Sequence, residues 1–440
     1  MTNDANNNQT SRRNFVKQTS LIAGGLMAAP FLTRANYFSG SSDVIKIALI
    51  GCGGRGTGAA TQALLTKQNV KLVAMADAFR DRLDGAYKEL TTGGEIDTSR
   101  IDVPEDRKFV GFDAYQKAIA LADVVILATP PGFRPIHFEE AVKQNKHIFM
   151  EKPVATDPAG VQRVLAAAQT AKQKKLNVVV GLQRHFQNSY RELIKRKDLI
   201  GEMTSAQAWW NNDGVWVRPR KPGQTEMEYQ MRNWYYFVWL CGDHITEQHI
   251  HNLDVINWFK GSYPVKAQGM GGRQVRTGKE YGEIYDHHYV EFHYADGFIL
   301  NSQCRHIPGT MSKVDELFVG TKGKIQTGAA NIVDHKGKVL YQYDRKAENN
   351  PYQTEHDELF EAIAKGEYKF DQAENGAKSS MTSILGRMAT YSGQIVEWDK
   401  AINSGLDLHP KAYTWDTVPP VTPDAEGYYA VAKPGVTKYV

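Results

Sequence analysis

Two side chains in this sequence have the chemistry for proton transfer at an alcohol, and a carboxylate stands near one of them. Lys152 sits in Glu151-Lys152-Pro153, directly after the apolar run His147-Ile148-Phe149-Met150. His251 and Glu247 lie in Glu247-Gln248-His249-Ile250-His251-Asn252-Leu253-Asp254. At about 100° per residue, His244, Glu247, Gln248, His251 and Asp254 share one helical face and His249 points elsewhere. Such a polar stripe is expensive to bury unless it lines a wet cleft or a site, and Val255, Ile256, Trp258 and Phe259 mark the helix as interior. An imidazole with a reference pKa of about 6.5 is the natural base for an alcohol proton, and an ammonium stabilises the alkoxide left behind. Lys152 and His251 are therefore read as catalytic. Glu247 is expected to hold His251 or the substrate by hydrogen bonds.

The elements that position these groups can be read upstream. Val44–Ile50 is a strand-length apolar run that leads into Gly51-Cys52-Gly53-Gly54-Arg55-Gly56, and a helix follows. In this spacing the first glycine permits the tight turn, the second lets the backbone approach a pyrophosphate, and the third lets the helix pack on the strand. A second strand, Val70–Ala76, ends at Asp77, whose carboxylate can accept from a ribose diol and repel a 2′-phosphate; this favours NAD over NADP. Arg80 stands where it softens that preference. Asp123–Ala128 is another apolar strand, stopped by Thr129-Pro130-Pro131, where a nicotinamide or its ribose can rest. Ligands of an open parallel sheet bind outside its carboxyl ends, which puts Lys152 beside the nicotinamide.

The glycine fingerprint, Thr129-Pro130-Pro131, His137 and Glu151-Lys152-Pro153 together resemble the glucose–fructose oxidoreductase/inositol dehydrogenase/rhizopine catabolism family, over about Ile45 to Trp398. The resemblance implies an α/β fold. An N-terminal Rossmann dinucleotide-binding domain (43–175) would precede a C-terminal α+β domain with a large open, mainly antiparallel sheet (176–400), used for substrate and for a homodimer or homotetramer. It implies a tightly bound NAD, or less readily NADP. The cofactor would be held by Gly51, Gly53, Gly54, Arg55, Gly56, Asp77, Thr129, Pro130, His137, Glu151 and Lys152. Arg184, His244, Gln248, Asp254 and Trp234 would hold substrate. The implied activity is hydride transfer between the nicotinamide and a secondary hydroxyl of a sugar, glycoside or polyol. Glu247 stands where the family more often has Asp, and His249 where it often has Gly, so the substrate does not transfer with the fold. Some exported relatives use NAD to hydrolyse glycosides through a transient ketone. That reading stays open, as does a non-catalytic sugar- or cofactor-binding protein of the same fold.

Trp209, Trp210, Trp216, Trp234 and Trp239 crowd one stretch in which 211–232 reads as a long loop, a candidate cover for a sugar. The proline-rich 401–440 reads as an extended arm, able to wrap a neighbouring subunit. No metal site is expected. His287 and His288 are adjacent in a strand and point to opposite faces, and no familiar zinc spacing is present.

Residues 1–35 carry Ser11-Arg12-Arg13-Asn14-Phe15, a mild apolar run and a small residue. They resemble a twin-arginine export signal, which implies a folded, soluble periplasmic product. That segment also holds +3 of the formal net charge of +4, which leaves +1 on the other 405 of 440 residues. A near-neutral body argues against binding nucleic acid by charge. No apolar stretch is long enough to read as a membrane span. Three cysteines do not make a disulfide framework.

Overall fold

The computed structural model describes residues 43–438; the expected export signal at 1–35 lies outside them. Six strands, β1 (Ile45–Ile50), β2 (Val70–Asp77), β3 (Lys108–Val110), β4 (Val124–Leu127), β5 (His147–Met150) and β6 (Val178–Val180), form a parallel sheet in the order 3-2-1-4-5-6. That is the doubly wound order of dinucleotide-binding folds. Its central strands are apolar on both faces because helices cover both. The sheet continues to Val180, beyond the boundary placed at 175 from sequence.

The second sheet has nine strands: β7 (Met203–Asn212), β8 (Lys266–Gly272), β9 (His287–His293), β10 (Ile299–His306), β11 (Lys313–Gly320), β12 (Gly323–Gln326), β13 (Asn331–Asp334), β14 (Val339–Gln342) and β15 (Val396–Glu397). The order is 14-13-12-11-7-10-9-8-15, and only β7–β10 pair in parallel. β9 and β10 alternate buried and half-buried residues, as a sheet with one packed face must.

Chain order and packing part company after β14. Helix Pro351–Ala364 returns to the nucleotide domain, where Leu359, Phe360 and Ile363 join the core of Ala59, Ala60 and Ala63. Helix Ala373–Ser392 is buried almost throughout. From it Arg387, fully buried, donates to Gly242 O (2.9 Å) and Thr156 O (2.8 Å) and so ties the two domains together. The arm after helix Trp398–Ile402 has no further helix or strand among the described residues. It packs on its own chain: Trp415 lies 5.0 Å from Phe79 and 4.6 Å from Phe112, ring to ring, and the Tyr285 hydroxyl donates to Ala432 O (2.9 Å).

Candidate active site

The glycine turn is shaped by its own collisions. Gly51 has φ +96°, and a Cβ there would strike the Ala128–Thr129 backbone; a Cβ on Gly56 would strike the Gly51 carbonyl. Gly53 and Gly54 face open space, at the start of helix Gly54–Leu64, whose first turn carries no acid. A pyrophosphate fits there against free amides and the positive end of the helix dipole. Asp77 accepts from Cys52 N (2.7 Å) and Phe79 N (2.8 Å). Burial raises its pKa, and those two amides oppose the shift. Arg80 is turned away to Asp84 (2.8 Å) and Glu105 (2.5 Å), whereas Arg82 reaches the same cavity as Asp77. That cavity, about 350 Å³, runs from the glycine turn past Asp77 to Thr129, Pro130 and His137.

Buried hydrogen bonds hold the far wall. Thr129 Oγ1 meets His137 Nδ1 at 3.2 Å, and burial brings His137 down to about 3, so its ring is neutral. Arg134, unmarked in the sequence reading, donates to Glu151 O (3.0 Å) and Thr129 O (2.6 Å) and fastens the ends of β4 and β5 together. The Glu151 carboxylate pairs with Arg55, which also faces Glu355. Gly181 leaves room for the Glu151 carboxylate, which a Cβ there would displace.

The aromatic stretch closes this cavity from the second domain. Trp216, Arg218, Arg232 and Trp234 line it, so Trp234 shares the cavity of the glycine turn and Asp77. The expected loop is partly a helix, Glu226–Arg232, at whose end Arg232 reaches Asp81 (3.1 Å) and covers the Phe79 ring (4.0 Å).

The predicted single helix is broken. His244–Glu247 and Ile250–Lys260 are separate helices with Gln248 and His249 between them, so the five-residue stripe does not survive as one face. Glu247 nevertheless arrives at Lys152: Lys152 Nζ donates to Glu247 O (2.7 Å) and Oε1 (3.2 Å). Glu247 thus holds Lys152, not His251. Burial raises the Glu247 pKa and Lys152 opposes the shift. His251, 7% exposed, stacks on Trp210 (5.9 Å), and its Nδ1 has no partner. Burial, then Lys152, Arg184 and Arg55, holds it well below the ordinary histidine value. The imidazole is therefore neutral and within the field of the Lys152 ammonium.

Other predicted residues are committed elsewhere. The Asp254 carboxylate accepts from Ser379 (2.8 Å) and Asn375 (3.0 Å) and meets His185 (2.7 Å), so it organises helix packing and is not free for substrate. Arg184 pairs with buried Glu316, though its charge still reaches His251. Gln248 Oε1 meets His306 Nε2 at 2.7 Å. His244 lies against the His306 ring (4.3 Å); neither of its nitrogens has a hydrogen bond, and Nε2 stands 3.9 Å from Asp243 Oδ1. His288 does turn inward: Asp243, His244 and His288 bring ligand atoms within 4.8 Å of one another. Hydrogen bonds already occupy that Asp243 carboxylate, from Tyr391 (2.5 Å), Tyr285 N (3.0 Å) and His288 (3.3 Å). Tyr235, Arg276 and His306 were not legible as site residues; they are scattered in sequence and follow no motif.

The fold and this cleft define a two-domain protein built on a dinucleotide-binding fold, with a lysine–glutamate pair and a neutral histidine at the ends of β5 and the facing helices. Residues 45–181 match the sequence model of GFO_IDH_MocA, an oxidoreductase family with an NAD-binding Rossmann fold. The chain is 26% identical over 212 residues to a 2,7-anhydro-N-acetylneuraminate hydratase of Escherichia coli (strain K12), covering 47% of this chain and 51% of that one. It is 24% identical over 292 residues to an inositol 2-dehydrogenase of Rubrobacter xylanophilus, covering 65% and 72%. The chain thus spans about half the length of the first relative. The fold matches apo scyllo-inositol dehydrogenase from Lactobacillus casei (TM-score 0.61, 19% identity, 82% and 99% covered). It also matches a levoglucosan dehydrogenase in complex with NADH and levoglucosan (TM-score 0.61, 15% identity, 81% and 99% covered).

Proposed function

We propose that the protein is a member of this oxidoreductase family throughout its length, transferring hydride between NAD and a secondary hydroxyl of a sugar, glycoside or polyol. The observation that carries the reading is the Lys152–Glu247 pair at the carboxyl end of β5, with neutral His251 in its field. Gly53, Gly54, Asp77, Thr129 and Pro130 would hold the dinucleotide, and Asp77 with Arg80 turned away supports NAD over NADP. When bound, NAD supplies the hydride acceptor. The chain supplies the rest. Lys152 Nζ, held by Glu247, donates to the substrate oxygen and stabilises it as its proton leaves. Neutral His251 is in the form that accepts that proton, and the nearby ammonium makes it pass the proton on instead of keeping it. Trp216 and Trp234 line the nucleotide cavity, and Trp415 of the C-terminal arm backs Phe79 in its wall, which supports tight retention of the cofactor.

The test is mass spectrometry of the purified protein for bound dinucleotide, followed by NADH formation with a panel of sugars and polyols. Protein that neither carries nor binds NAD or NADP overturns the reading. A second reading has one observation in its favour: the E. coli relative is named a hydratase, so elimination without net redox is available to this fold. Product release without NADH accumulation would select it.

Residues 1–35 are proposed to direct twin-arginine export, with the mature protein in the periplasm. Arg12→Lys with Arg13→Lys would leave the protein in the cytoplasmic fraction. The solvent-side face of the nine-stranded sheet is proposed to pair copies of the chain, with sedimentation as the check.

A further inference from the structure

We infer that the substrate carries a carboxylate, and that Arg276 binds it. The inference rests on the oxidoreductase reading for the location of the reacting carbon and names the class of sugar that fits. Arg276 is 6% exposed, yet neither Nη1 nor Nη2 has a hydrogen-bond partner. Its guanidinium lies over the rings of Tyr236 and Tyr281, 4.9 Å from each centroid. The Tyr236 hydroxyl beside it donates toward Val215 O (3.2 Å) and Trp216 O (3.1 Å) and feels the Arg276 charge, but as a neutral phenol it supplies no counter-charge. Asp286, on the strand approach behind the loop, is also spent: Oδ2 accepts the main-chain N–H of Gln274 (2.8 Å), Val275 (2.7 Å) and Arg276 (3.1 Å), and Oδ1 meets His287 (2.7 Å).

Neighbouring arginines show what a structural role looks like in this protein. Arg273 donates to the carbonyls of Arg276, Gly278 and Gly282, and Arg387 to those of Gly242 and Thr156. Arg276 has no such acceptor. Leaving a buried cation unpaired is costly, and a guanidinium with two free terminal nitrogens matches a carboxylate in bidentate fashion.

The surroundings tie Arg276 to the catalytic groups. Tyr235 feels the charge of both Glu247 and Arg276, and its buried hydroxyl lies near enough to Glu247 to lower that carboxyl's pKa. Tyr235 stacks on His306 (6.0 Å), which stacks on His244 (4.3 Å). Nδ1 of His306 and both nitrogens of His244 also lack hydrogen bonds, though Asp243 Oδ1 stands 3.9 Å from His244 Nε2. Burial leaves both rings neutral, His306 at about 3 and His244 well below its ordinary value, so neither competes with Arg276 for an anion. Polar groups short of hydrogen bonds thus gather around Tyr235, which feels Glu247 from one side and the Arg276 cation from the other. A polyhydroxylated ring with an acid group satisfies both ends, and a neutral sugar leaves the cation bare.

The test uses the full NAD-loaded protein and measures binding by calorimetry. The probes are methyl glucuronide, methyl galacturonide and N-acetylneuraminate, against methyl glucoside, methyl galactoside and glucose 6-phosphate. At least one acid is expected to bind about tenfold or more tighter than every neutral probe. Arg276→Gln should abolish the preference, and Arg276→Lys should keep part of it, with melting temperatures of the free variants confirming that they fold. Neutral probes binding as well as the acids, no acid binding at all, or an undiminished preference in folded Arg276→Gln would overturn the inference. A preference for glucose 6-phosphate would overturn the carboxylate in favour of a phosphate. Acids that bind but yield no NADH uphold this inference and count against the redox reading; NADH formed from neutral sugars alone does the reverse.

Discussion

Lys152 Nζ donates at once to the main-chain carbonyl (2.7 Å) and the carboxylate (3.2 Å) of Glu247, so one ammonium joins the end of β5 to the short helix His244–Glu247 of the second domain. The contact orients the lysine and supplies its counter-charge in the same stroke, with both side chains only 13% exposed.

Removing the ammonium should cost chemistry and spare the cofactor. Lys152→Ala is expected to lower kcat by about 10²–10⁴-fold, the usual worth of a positioned acid or base. The bound dinucleotide content should not change, because the glycine turn and Asp77 do not depend on Lys152. Steady-state NADH formation, set beside cofactor content by absorbance, checks both halves.

The pH profile should be governed by Glu247. Burial raises its pKa, so it takes up a proton at a higher pH than an exposed glutamate, which titrates near about 4.3. As pH falls through that raised value, Lys152 loses its anionic partner and kcat/KM should fall. His251 should add no inflexion near about 6.5, the value for a free histidine, since burial and its cationic neighbours keep it neutral well below that. Glu247→Gln should erase the acid limb, and an inflexion that survives in that variant would assign the limb elsewhere.

Asp77 should set cofactor choice. Asp77→Asn removes a charge and one of the two acceptors for Cys52 N and Phe79 N. A hydrogen bond to a charged group is worth about 1.5–3 kcal/mol, so NADH affinity should drop by about tenfold or more. NADPH should lose less, because the repulsion of its 2′-phosphate goes at the same time. Fluorescence titration of the two nucleotides gives the ratio.

Closure over the nucleotide should rely on rings more than on the ion pair. Asp81 is 62% exposed, and an exposed pair is worth about 0–1 kcal/mol. Trp415 instead packs against both Phe79 and Phe112, which combines apolar burial with ring contacts worth about 0.5–1.5 kcal/mol more. Trp415→Ala should speed NADH dissociation by about tenfold or more in stopped flow, and Asp81→Ala by less than about fivefold.

The arm should loosen in alkali. Burial alone would depress His409, but hydrogen bonds and charge from Asp157 and Asp407 outweigh it and carry it from 6.5 to about 9. A histidine raised on folding stabilises fully below its unfolded value and loses that contribution as pH rises through its folded one. The contribution is on the order of 1–3 kcal/mol, lost between about pH 6.5 and 9. Hydrogen exchange across 406–438 should rise over that window in the native protein, and His409→Gln should show the faster exchange already at pH 6.

Short-range order was readable along the chain. Gly51, Gly53 and Gly56 between an apolar strand and a helix, Asp77 at the end of the next strand, and Lys152 after β5 all lie within a few residues of the element that aims them. Backbone sterics and strand termini determine such positions locally. What spacing could not reveal depended on which distant elements pack together. The helix break at Gln248–His249 took Asp254 to Ser379 and Asn375 and brought Glu247 to Lys152. Trp234 went to the nucleotide cavity because helix Glu226–Arg232 folds over Phe79. Arg276, with no motif around it, became notable once burial stripped it of water and left it without an acidic partner. Those outcomes are set by long-range packing, where a side chain's role depends on what the rest of the chain places opposite it.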